Sequence, residues 1–447
     1  MPTAAFTTLG CKVNQYETQR ILDSFEAAGF QVVPFDSCAD VYVINTCSVT
    51  SIAESKSRYT IRKAAKQNPA AKIVVTGCAA QMALNKGENV EGADVVVENP
   101  AKLQTLDRVL AAFPGLARAG SPLDGMRAGM PALQGRTRAT LKVQDGCSVM
   151  CSYCSIPYTR PGLVSRPALE VVEEARKMAL MGYREIVLTG VLIGAYGPES
   201  GSGGPDFESL IEMLQDGLLE FAPMRLRISS IEMRQVTPRL VEIMRARHEV
   251  AVAPHFHIPL QAGDDEVLRD MNRPYRRGDY LALCERLYEQ IPDLSITTDI
   301  MVGFPTETPD KFENTLDVCE RVQFLKVHAF RFSPRFGTPA DEWGDPVDPR
   351  EKQRRSLALN EVSSRTGSGH ARRFIGRTLR VLVEGKTTRE GLLEGLTDNY
   401  LTVRFAGPTT IMRGFAWVRL DEERDGVLFG ELAPEPTLAK RELVVIR

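Results

Sequence analysis

The alternation of β-like runs and helical patterns in the middle of the chain restricts the fold more than any other feature. Six β-like runs follow one another there, and amphipathic helical patterns separate most of them. The runs are ATLKVQDG (139–146), EIVLTGV (185–191), RLRISSI (225–231), HFHIPL (255–260), SITTDIMVGF (295–304) and FLKVHAFRFS (324–333). Strands that alternate with helices form parallel sheets. We therefore predict a parallel βα array, in which functional residues collect at the carboxyl ends of the strands.

Three cysteines follow the first of these runs in the stretch CSVMCSYC. Cys147, Cys151 and Cys154, here called the loop trio, have the spacing C-x3-C-x2-C. A structural zinc site takes four ligands, usually as two close pairs, but the chain has no second C-x2-C pair and no histidine near these cysteines. Iron–sulfur cubanes also usually have four thiolate ligands. A cluster with three leaves one iron free to bind a small molecule, as the open position of a catalytic zinc site does.

This segment, with Tyr153 before its last cysteine, resembles the cluster-binding loop of radical S-adenosylmethionine enzymes. The resemblance implies that the loop trio holds a catalytic [4Fe–4S] cluster whose fourth iron binds the methionine part of S-adenosylmethionine. One electron then cleaves the sulfonium and yields a 5′-deoxyadenosyl radical. The resemblance also makes the βα array a partial (β/α)6 barrel. The residues expected to bind the cofactor are Tyr153, Gly190, Ser230, Glu232, Gln261 and Asp299, and all but Tyr153 lie near strand ends.

A second set of three cysteines lies in the N-terminal part of the chain. Cys11, Cys47 and Cys78, here called the strand-end trio, each lie just after a β-like run and before a helical pattern. Because sites in an open parallel βα sheet form outside the carboxyl ends of the strands, these cysteines can meet at one point. We expect them to hold a second cluster with an open iron. The alternative, three small buried thiols, favours positions within the strands rather than just past them.

Four stretches taken together resemble the methylthiotransferase family of radical S-adenosylmethionine enzymes. They are TLGCKVNQYET (8–18), VINTCSVT (43–50), VVTGCAAQ (74–81) and QDGCSVMCSYCSIPYTRPG (144–162). The resemblance implies two [4Fe–4S] clusters, the auxiliary one on the strand-end trio. It implies that one S-adenosylmethionine methylates sulfur at the auxiliary cluster, and that a second generates the radical that removes hydrogen from an unactivated carbon. If the substrate carbon is C2 of a purine, its C–H bond is not acidic enough for a side-chain base to remove the proton. Such a carbon therefore requires a radical.

The C-terminal part changes to short β-like runs with Gly and Asn turns, after a helical pattern that we expect to end near Gly367. Such runs predict a small antiparallel β-barrel, and the family resemblance identifies it as a TRAM domain, an RNA-binding module. Between Arg350 and Arg380, nine Lys or Arg stand against two Glu, and such a basic segment can bind phosphate. The expected RNA contacts are Arg372, Arg373, Arg377 and Arg380. Four aromatic residues could stack on bases or fill the barrel core: Tyr400, Phe405, Phe415 and Trp417.

Three substrates are usual in this family: isopentenyladenosine in tRNA, an aspartate of a ribosomal protein, and threonylcarbamoyladenosine in tRNA. The stretch GCKVNQYE (10–17) most resembles the third branch. The resemblance implies 2-methylthiolation of N6-threonylcarbamoyladenosine at tRNA position 37, so the partner is the anticodon stem-loop. The other two substrates stay open. So do two non-catalytic functions, an iron–sulfur electron carrier and a zinc-containing RNA-binding protein.

Length and composition set the remaining expectations. A chain of 447 residues is too long for one core, and we expect an auxiliary-cluster domain (1–118), a linker (119–136), a radical core (137–366) and the TRAM domain (369–436). The chain is 43% apolar with a net charge of −2, so any RNA-binding surface is local. No apolar run approaches the roughly 20 residues of a membrane span, and no signal peptide is evident. We therefore expect a cytosolic enzyme with an electron donor such as flavodoxin or ferredoxin.

Overall fold

The computed structural model describes residues 1–116, 136–198 and 203–436. These residues form, in chain order, a parallel sheet, a barrel-like βα array and a closed β-barrel. The predicted linker 119–136 lies outside the described residues except for Arg136. None of the helices in the described residues is long and apolar enough to cross a membrane.

The N-terminal part is a five-stranded parallel sheet with helices on both faces. Its elements are β1 (Thr3–Thr8), α1 (Lys12–Ala27), β2 (Gln31–Val33), β3 (Val41–Thr46), α2 (Ser51–Gln67), β4 (Lys72–Gly77), α3 (Cys78–Asn85), β5 (Val95–Val97) and α4 (Thr105–Ala112). The strand order is β2-β1-β3-β4-β5. Successive residues of a strand point to opposite faces: Val43 packs in the same cluster as Phe25 of α1. Ile44 packs with Ile61 of α2 on the other face. Both apolar faces of the sheet are thereby covered, as an all-parallel sheet requires.

The central part confirms the predicted partial (β/α)6 barrel. Its elements are β6 (Ala139–Lys142), β7 (Gln144–Asp145), α5 (Ile156–Thr159), β8 (Val164–Ser165), α6 (Ala168–Leu180), β9 (Glu185–Thr189), α7 (Phe207–Gly217), β10 (Met224–Ile228), α8 (Pro238–Arg245), β11 (Val250–Val252), β12 (His255–His257), α9 (Asp265–Asp270), α10 (Arg277–Gln290), β13 (Ser295–Val302), α11 (Pro309–Val322), β14 (Lys326–Arg331), α12 (Pro339–Glu342) and α13 (Pro349–Arg372). Two parallel sheets have the orders β11-β10-β9-β6 and β12-β13-β14. The chain passes directly from β11 of the first sheet to β12 of the second, so the second sheet continues the first around the barrel. In the described residues no pairing joins the outer strands β6 and β14, so the barrel is open between them.

Two of the predicted strands are divided in the structure. Pro254 separates β11, which pairs with β10, from β12, which pairs with β13. Proline has no N–H for a ladder hydrogen bond, and the chain changes sheets at this residue. The run 139–146 likewise divides into β6 and β7, and β7 forms an antiparallel pair with β8 outside the main sheet.

The C-terminal part is a closed five-stranded barrel, as expected for a TRAM domain. Its strands are β15 (Thr378–Thr387), β16 (Leu393–Thr397), β17 (Thr402–Phe405), β18 (Phe415–Arg424) and β19 (Val427–Ala433), in the order β15-β16-β17-β19-β18. Four neighbouring pairs are antiparallel, whereas β17 and β19 pair in parallel. In a closed ring with an odd number of strands, the strand direction cannot alternate between all neighbours. One parallel pair is therefore required, which the prediction of an antiparallel barrel overlooked.

The helix before the barrel is longer than predicted. We expected it to end near Gly367, but α13 continues to Arg372. A Cβ atom on Gly367 would lie 2.5 Å from the Leu325 carbonyl oxygen. The glycine therefore allows close packing of the helix beside β14 and does not end the helix. His370, beyond it, lies 2.9 Å from the Ser295 hydroxyl of β13 through its Nε2 atom.

Candidate functional site

The loop trio lies after β7, near the carboxyl end of the first barrel strand. Gly146 begins the loop with a φ of +78°, and a Cβ atom there would overlap the Gly162 carbonyl oxygen. Only glycine fits where these two chain segments cross. Within the loop, the Cys154 amide donates to the Cys151 carbonyl oxygen at 3.0 Å. This turn folds the chain between the second and third cysteines, and the Ser152 amide also donates to the carbonyl oxygen of Met271 at 3.1 Å.

Arg273, which the sequence patterns did not single out, contacts the loop trio directly. Its Nη1 donates to the Cys151 Sγ at 3.2 Å, its Nε donates to the Tyr275 hydroxyl at 3.0 Å, and its Nη2 pairs with Glu232. A guanidinium beside a sulfur atom stabilises the thiolate. Arg273 is buried between α9 and α10, and no motif or spacing in the sequence distinguishes it from the other arginines of the chain.

Gly190 directly follows β9 and packs against a residue that the sequence analysis also missed. A Cβ atom on Gly190 would lie 2.9 Å from the Gln144 Oε1. The same oxygen accepts hydrogen bonds from the amides of Val191 and Leu192 at 3.0 and 2.8 Å. Gln144 therefore joins the end of β9 to the segment that leads into the loop trio.

The other candidates for cofactor binding lie in the central barrel. Ser230 and Glu232 follow β10. The Gln261 amide donates to the Asp299 carbonyl oxygen at 2.9 Å, and Asp299 Oδ2 lies 3.2 Å from the Nε2 of His257. His257 and its neighbour His255 both contact the Thr297 hydroxyl of β13.

Tyr153 packs into the protein rather than into solvent. Its ring meets the edge of the Phe304 ring with the centroids 6.4 Å apart. Burial raises the pKa of Tyr153 well above its usual value, so its hydroxyl stays protonated. Tyr153 thereby anchors the loop trio on the segment that follows β13.

The strand-end trio lies at the carboxyl edge of the N-terminal sheet. Its cysteines follow β1, β3 and β4, which are neighbours in that sheet. The Asn14 Nδ2 donates to the carbonyl oxygens of Leu9 and Thr46, both at 3.0 Å. Asn14 thereby links the segments that carry Cys11 and Cys47.

Two further contacts show how close these segments come. A Cβ atom on Gly10, whose φ is +96°, would lie 2.6 Å from the Cys47 Sγ. The Asn99 Nδ2 lies 3.8 Å from the Cys78 Sγ and donates to the Thr159 carbonyl oxygen at 2.8 Å. Because Thr159 lies shortly after the loop trio, Asn99 connects the two cysteine sites.

Three thiols at each site match the donor set of a [4Fe–4S] cluster that keeps one iron open. In the ranges that the structure describes, no group of three His, Cys, Asp or Glu is close enough to hold one ion. Each thiolate of a cubane binds a different iron, so its ligands lie farther apart. Burial raises the pKa of Cys47 to about 11 and that of Cys154 to about 12. Metal binding by such thiols would release their protons.

A buried ionic cluster, here called the Glu17 cluster, holds the N-terminal sheet against the barrel. Glu17 Oε2 accepts from Lys102 Nζ and Arg160 Nη2, both at 2.7 Å, and its Oε1 accepts from Lys142 Nζ at 2.6 Å. Asp145 pairs with Arg160 at 2.8 Å. Burial alone would raise the pKa of Glu17, but the cations, Lys102 first, hold it well below its usual value. The carboxylate therefore stays ionised between the two cysteine sites.

The predicted RNA contacts at the end of α13 are exposed. Arg372 donates from Nε to Glu423 at 2.8 Å, with its side chain 65% exposed. Arg373 is also exposed. Both residues lie where a phosphate could approach them from solvent.

Arg377, which is also exposed, and Arg380 likewise pair with carboxylates of the same chain. Arg377 pairs with Asp293, in the turn before β13, at 2.6 Å. Arg380 pairs with Asp398 at 3.1 Å, and its guanidinium lies 4.4 Å from the centre of the Phe415 ring. Their present partners are carboxylates and an aromatic ring of the same chain.

Three of the four aromatic candidates also serve packing. The Tyr400 ring stacks on His255 of the central barrel at 4.3 Å, Phe405 is in the core of the small barrel, and Phe415 lies under Arg380. Tyr400 therefore docks the TRAM domain against the barrel. Trp417 is partly buried on β18.

Comparison with known families divides the chain in the same order as the structure. Residues 3–98 match the uncharacterized protein family UPF0004, residues 141–319 match the radical SAM superfamily, and residues 372–433 match the TRAM domain. The chain is 37% identical over 420 residues to the threonylcarbamoyladenosine tRNA methylthiotransferase MtaB of Bacillus subtilis, with 91% of each chain covered. It is 37% identical to the protein of that name from Thermotoga maritima, with 91% of this chain and 92% of that one covered. A tRNA-2-methylthio-N(6)-dimethylallyladenosine synthase of Geobacillus thermodenitrificans is 31% identical, with coverages of 96% and 83%.

Solved structures support the fold. The radical S-adenosylmethionine methyltransferase TsrM from Kitasatospora setae, solved with cobalamin and a [4Fe–4S] cluster, aligns with a TM-score of 0.53 at 14% identity, covering 76% of this chain and 77% of that one. The cobalamin-dependent radical enzyme OxsB aligns with a TM-score of 0.50 at 11% identity, covering 81% of this chain and 57% of that one. With the relatives above, these matches show that the chain belongs to the tRNA methylthiotransferase family of radical S-adenosylmethionine enzymes, which use S-adenosylmethionine and [4Fe–4S] clusters.

Proposed function

We propose that this enzyme adds a methylthio group to C2 of N6-threonylcarbamoyladenosine at tRNA position 37, in the anticodon stem-loop. The observation that carries the proposal is the contact of Asn99 with both Cys78 and the segment after the loop trio. It brings both cysteine sites to one interface, as a reaction that needs both requires. The substrate follows the relatives named for threonylcarbamoyladenosine, which are 37% identical to this chain, against 31% for the one named for dimethylallyladenosine.

In this proposal each cysteine trio holds one cluster. With S-adenosylmethionine bound, the clusters supply the radical and the methylthio group. The chain's own residues bind and orient them: Arg273 stabilises charge on Cys151, and the Glu17 cluster sets the separation of the two sites. The residues proposed to contact S-adenosylmethionine are Tyr153, Gly190, Ser230, Glu232, Gln261 and Asp299.

The proposal extends to the partners and the domains. Arg372, Arg373, Arg377 and Arg380 are the proposed RNA contacts. Arg372, Arg373 and Arg377 are exposed, and Arg372 and Arg377 each pair with a carboxylate of the same chain. A one-electron donor such as flavodoxin or ferredoxin, in the cytosol, completes the system. The proposed domains are 1–118, 137–366 and 369–436, with 119–136 as the linker.

Mass spectrometry of tRNA nucleosides from cells with and without this gene tests the proposal. We expect 2-methylthio-N6-threonylcarbamoyladenosine to disappear with the gene and to return with the wild-type copy. Copies with Cys78→Ala or Cys151→Ala should not restore it. If only the methylthio derivative of dimethylallyladenosine disappears with the gene, the substrate is dimethylallyladenosine and the proposal is wrong.

A further inference from the structure

The outward face of α2 combines exposed apolar side chains with cations. Ile52 and Tyr59 are 55% and 64% exposed. The side of the helix that packs on the protein is formed by Ser57, Ile61 and Ala64. Residues three and four apart share one face of a helix. The exposed residues that share a face with Tyr59, here called the α2 face, are Ile52, Ser55, Lys56, Tyr59, Arg62 and Lys66.

A shallow depression lies in the first half of the α2 face. The residues that line it are Ser51, Ile52, Ser55, Lys56 and Tyr59. Ile52 and Tyr59 are separated by two helical turns on the same side of the helix, and Lys56 lies between them. The depression therefore offers an aromatic ring, an aliphatic side chain and an ammonium group to the same ligand.

The cations of the α2 face lack carboxylate partners. The helix contains five Lys or Arg and one Glu. That glutamate and Asp36, which precedes the helix, pair with two of the cations. In the part of the chain that the structure describes, Lys56, Arg62 and Lys66 form no ion pair. In the basic helix α13, by contrast, four arginines each pair with a glutamate: Arg354, Arg355, Arg365 and Arg372. The α2 face therefore carries unneutralised positive charge on a chain whose net charge is −2.

The α2 face begins where the N-terminal sheet meets the barrel. The Cys47 amide donates to the Ser57 hydroxyl oxygen at 3.3 Å, so the first turns of α2 pack against a cysteine of the strand-end trio. Glu54 Oε2 lies 3.1 Å from the Nη1 of Arg335, and Arg335 follows β14, the last strand of the barrel. A large ligand on the α2 face would therefore also be next to the junction that contains the cysteine sites.

We propose that the α2 face binds the anticodon stem-loop of the substrate tRNA. In this proposal Tyr59 stacks on an unpaired base, and Lys56, Arg62 and Lys66 contact phosphates. A row of cations with an exposed aromatic residue among them is typical of surfaces that bind single-stranded nucleic acid, and unpaired loop bases commonly stack on aromatic side chains. The inference rests on the proposed function, which supplies an RNA whose loop must reach both cysteine sites. It gives the N-terminal domain an RNA-binding surface of its own, in addition to the TRAM domain.

An acidic protein, such as a flavodoxin that donates the electron, would also match the positive charge. Two observations favour RNA. The Tyr59 ring is exposed among the cations, and every base has a π face on which such a ring can stack. The α2 face also begins at the strand-end trio, whereas the proposed reaction needs the electron at the loop trio.

The test measures the affinity of the full-length protein, with both clusters, for an anticodon stem-loop RNA that carries threonylcarbamoyladenosine, at several salt concentrations. Tyr59→Leu should weaken binding about 5- to 100-fold, as the loss of one stacked base predicts. Tyr59→Phe keeps the ring and should bind like the wild-type protein. Lys56→Gln/Arg62→Gln should reduce the slope of log affinity against log salt by about 1.5, because two phosphate contacts are lost. Lys177→Gln, an exposed lysine of α6, is the matched control and should change neither quantity.

The substituted side chains are exposed, so the variants should fold, and their iron content verifies that both clusters are retained. Wild-type affinity and an unchanged salt slope in Tyr59→Leu and Lys56→Gln/Arg62→Gln would overturn the inference. So would normal RNA binding combined with slower reduction of the clusters by reduced flavodoxin, because the α2 face would then bind the electron donor. If the wild-type protein methylthiolates the RNA, either result leaves the proposed function intact. If it does not methylthiolate that RNA, the proposed function itself is wrong.

Discussion

The loop trio and the strand-end trio serve similar chemistry but depend on the fold to different degrees. The loop trio spans residues 147–154 and lies within one segment of the chain. The strand-end trio meets only when three strands pair in the order β1-β3-β4. A disturbance of the N-terminal sheet should therefore remove the auxiliary site and leave the loop trio intact.

The polar neighbours of the two trios also differ. Arg273 presents a cation to Cys151 at 3.2 Å, whereas Asn99 presents a neutral amide to Cys78 at 3.8 Å. Hydrogen bonds from ionised donors are roughly twice as strong as those between neutral groups. Cluster chemistry at the loop trio should therefore depend more strongly on its neighbour.

The largest effect is expected from Gly10→Ala. The added methyl would lie 2.6 Å from the Cys47 Sγ, and the positive φ adds strain. We expect this variant to lose the auxiliary cluster and all methylthiolation while still cleaving S-adenosylmethionine. Gly29→Ala is the matched control, since it has a φ of +84° but meets no atom within 4 Å, and it should cost only about 1–2 kcal/mol of stability. A full iron complement in Gly10→Ala would contradict the close packing of this site.

Glu17→Gln tests whether the fold holds the two trios at a fixed separation. Removing one partner of a buried ion pair costs about 3–5 kcal/mol, because Lys102 and Arg160 lose their common carboxylate. We expect lower stability in denaturant unfolding and a larger loss of methylthiolation than of S-adenosylmethionine cleavage. Glu26→Gln, an exposed residue of the same helix, should change neither.

The same residue predicts a pH dependence of stability. Because the pKa of Glu17 is well below its usual value in the folded chain, its stabilising effect is full above about pH 4.5. The effect is lost as the pH falls below that point toward the folded pKa. Wild-type stability should decline more steeply in this acidic range than that of Glu17→Gln, and equal slopes would argue against an ionised Glu17.

A smaller effect is expected from the neighbours of the sulfur atoms. Arg273→Gln removes a charge-assisted hydrogen bond and should slow S-adenosylmethionine cleavage about 10- to 100-fold. Asn99→Ala removes a longer and neutral contact and should change the auxiliary cluster less. Single-turnover measurements of 5′-deoxyadenosine formation, with iron content as the control, compare the two variants. A larger loss of activity in Asn99→Ala than in Arg273→Gln would contradict the expected difference between the two trios.

The difference between the trios also explains what could be predicted from sequence. The loop trio shows in its spacing, and the strand-end trio shows because each cysteine follows a β-like run. Arg273, Gln144 and the Glu17 cluster could not be found, because their partners are distant in sequence and no periodicity marks them. The end of α13 was misjudged because Gly367 serves packing against Leu325, which only the folded chain reveals.

The iron and sulfide contents of three anaerobically reconstituted proteins test the central claim most directly. Wild-type protein should contain about eight irons, as two cubanes require. The triple variants Cys11→Ala/Cys47→Ala/Cys78→Ala and Cys147→Ala/Cys151→Ala/Cys154→Ala should each retain about four irons with matching sulfide. Zinc in place of iron would contradict the claim of two independent three-cysteine clusters. So would the loss of all iron in either triple variant.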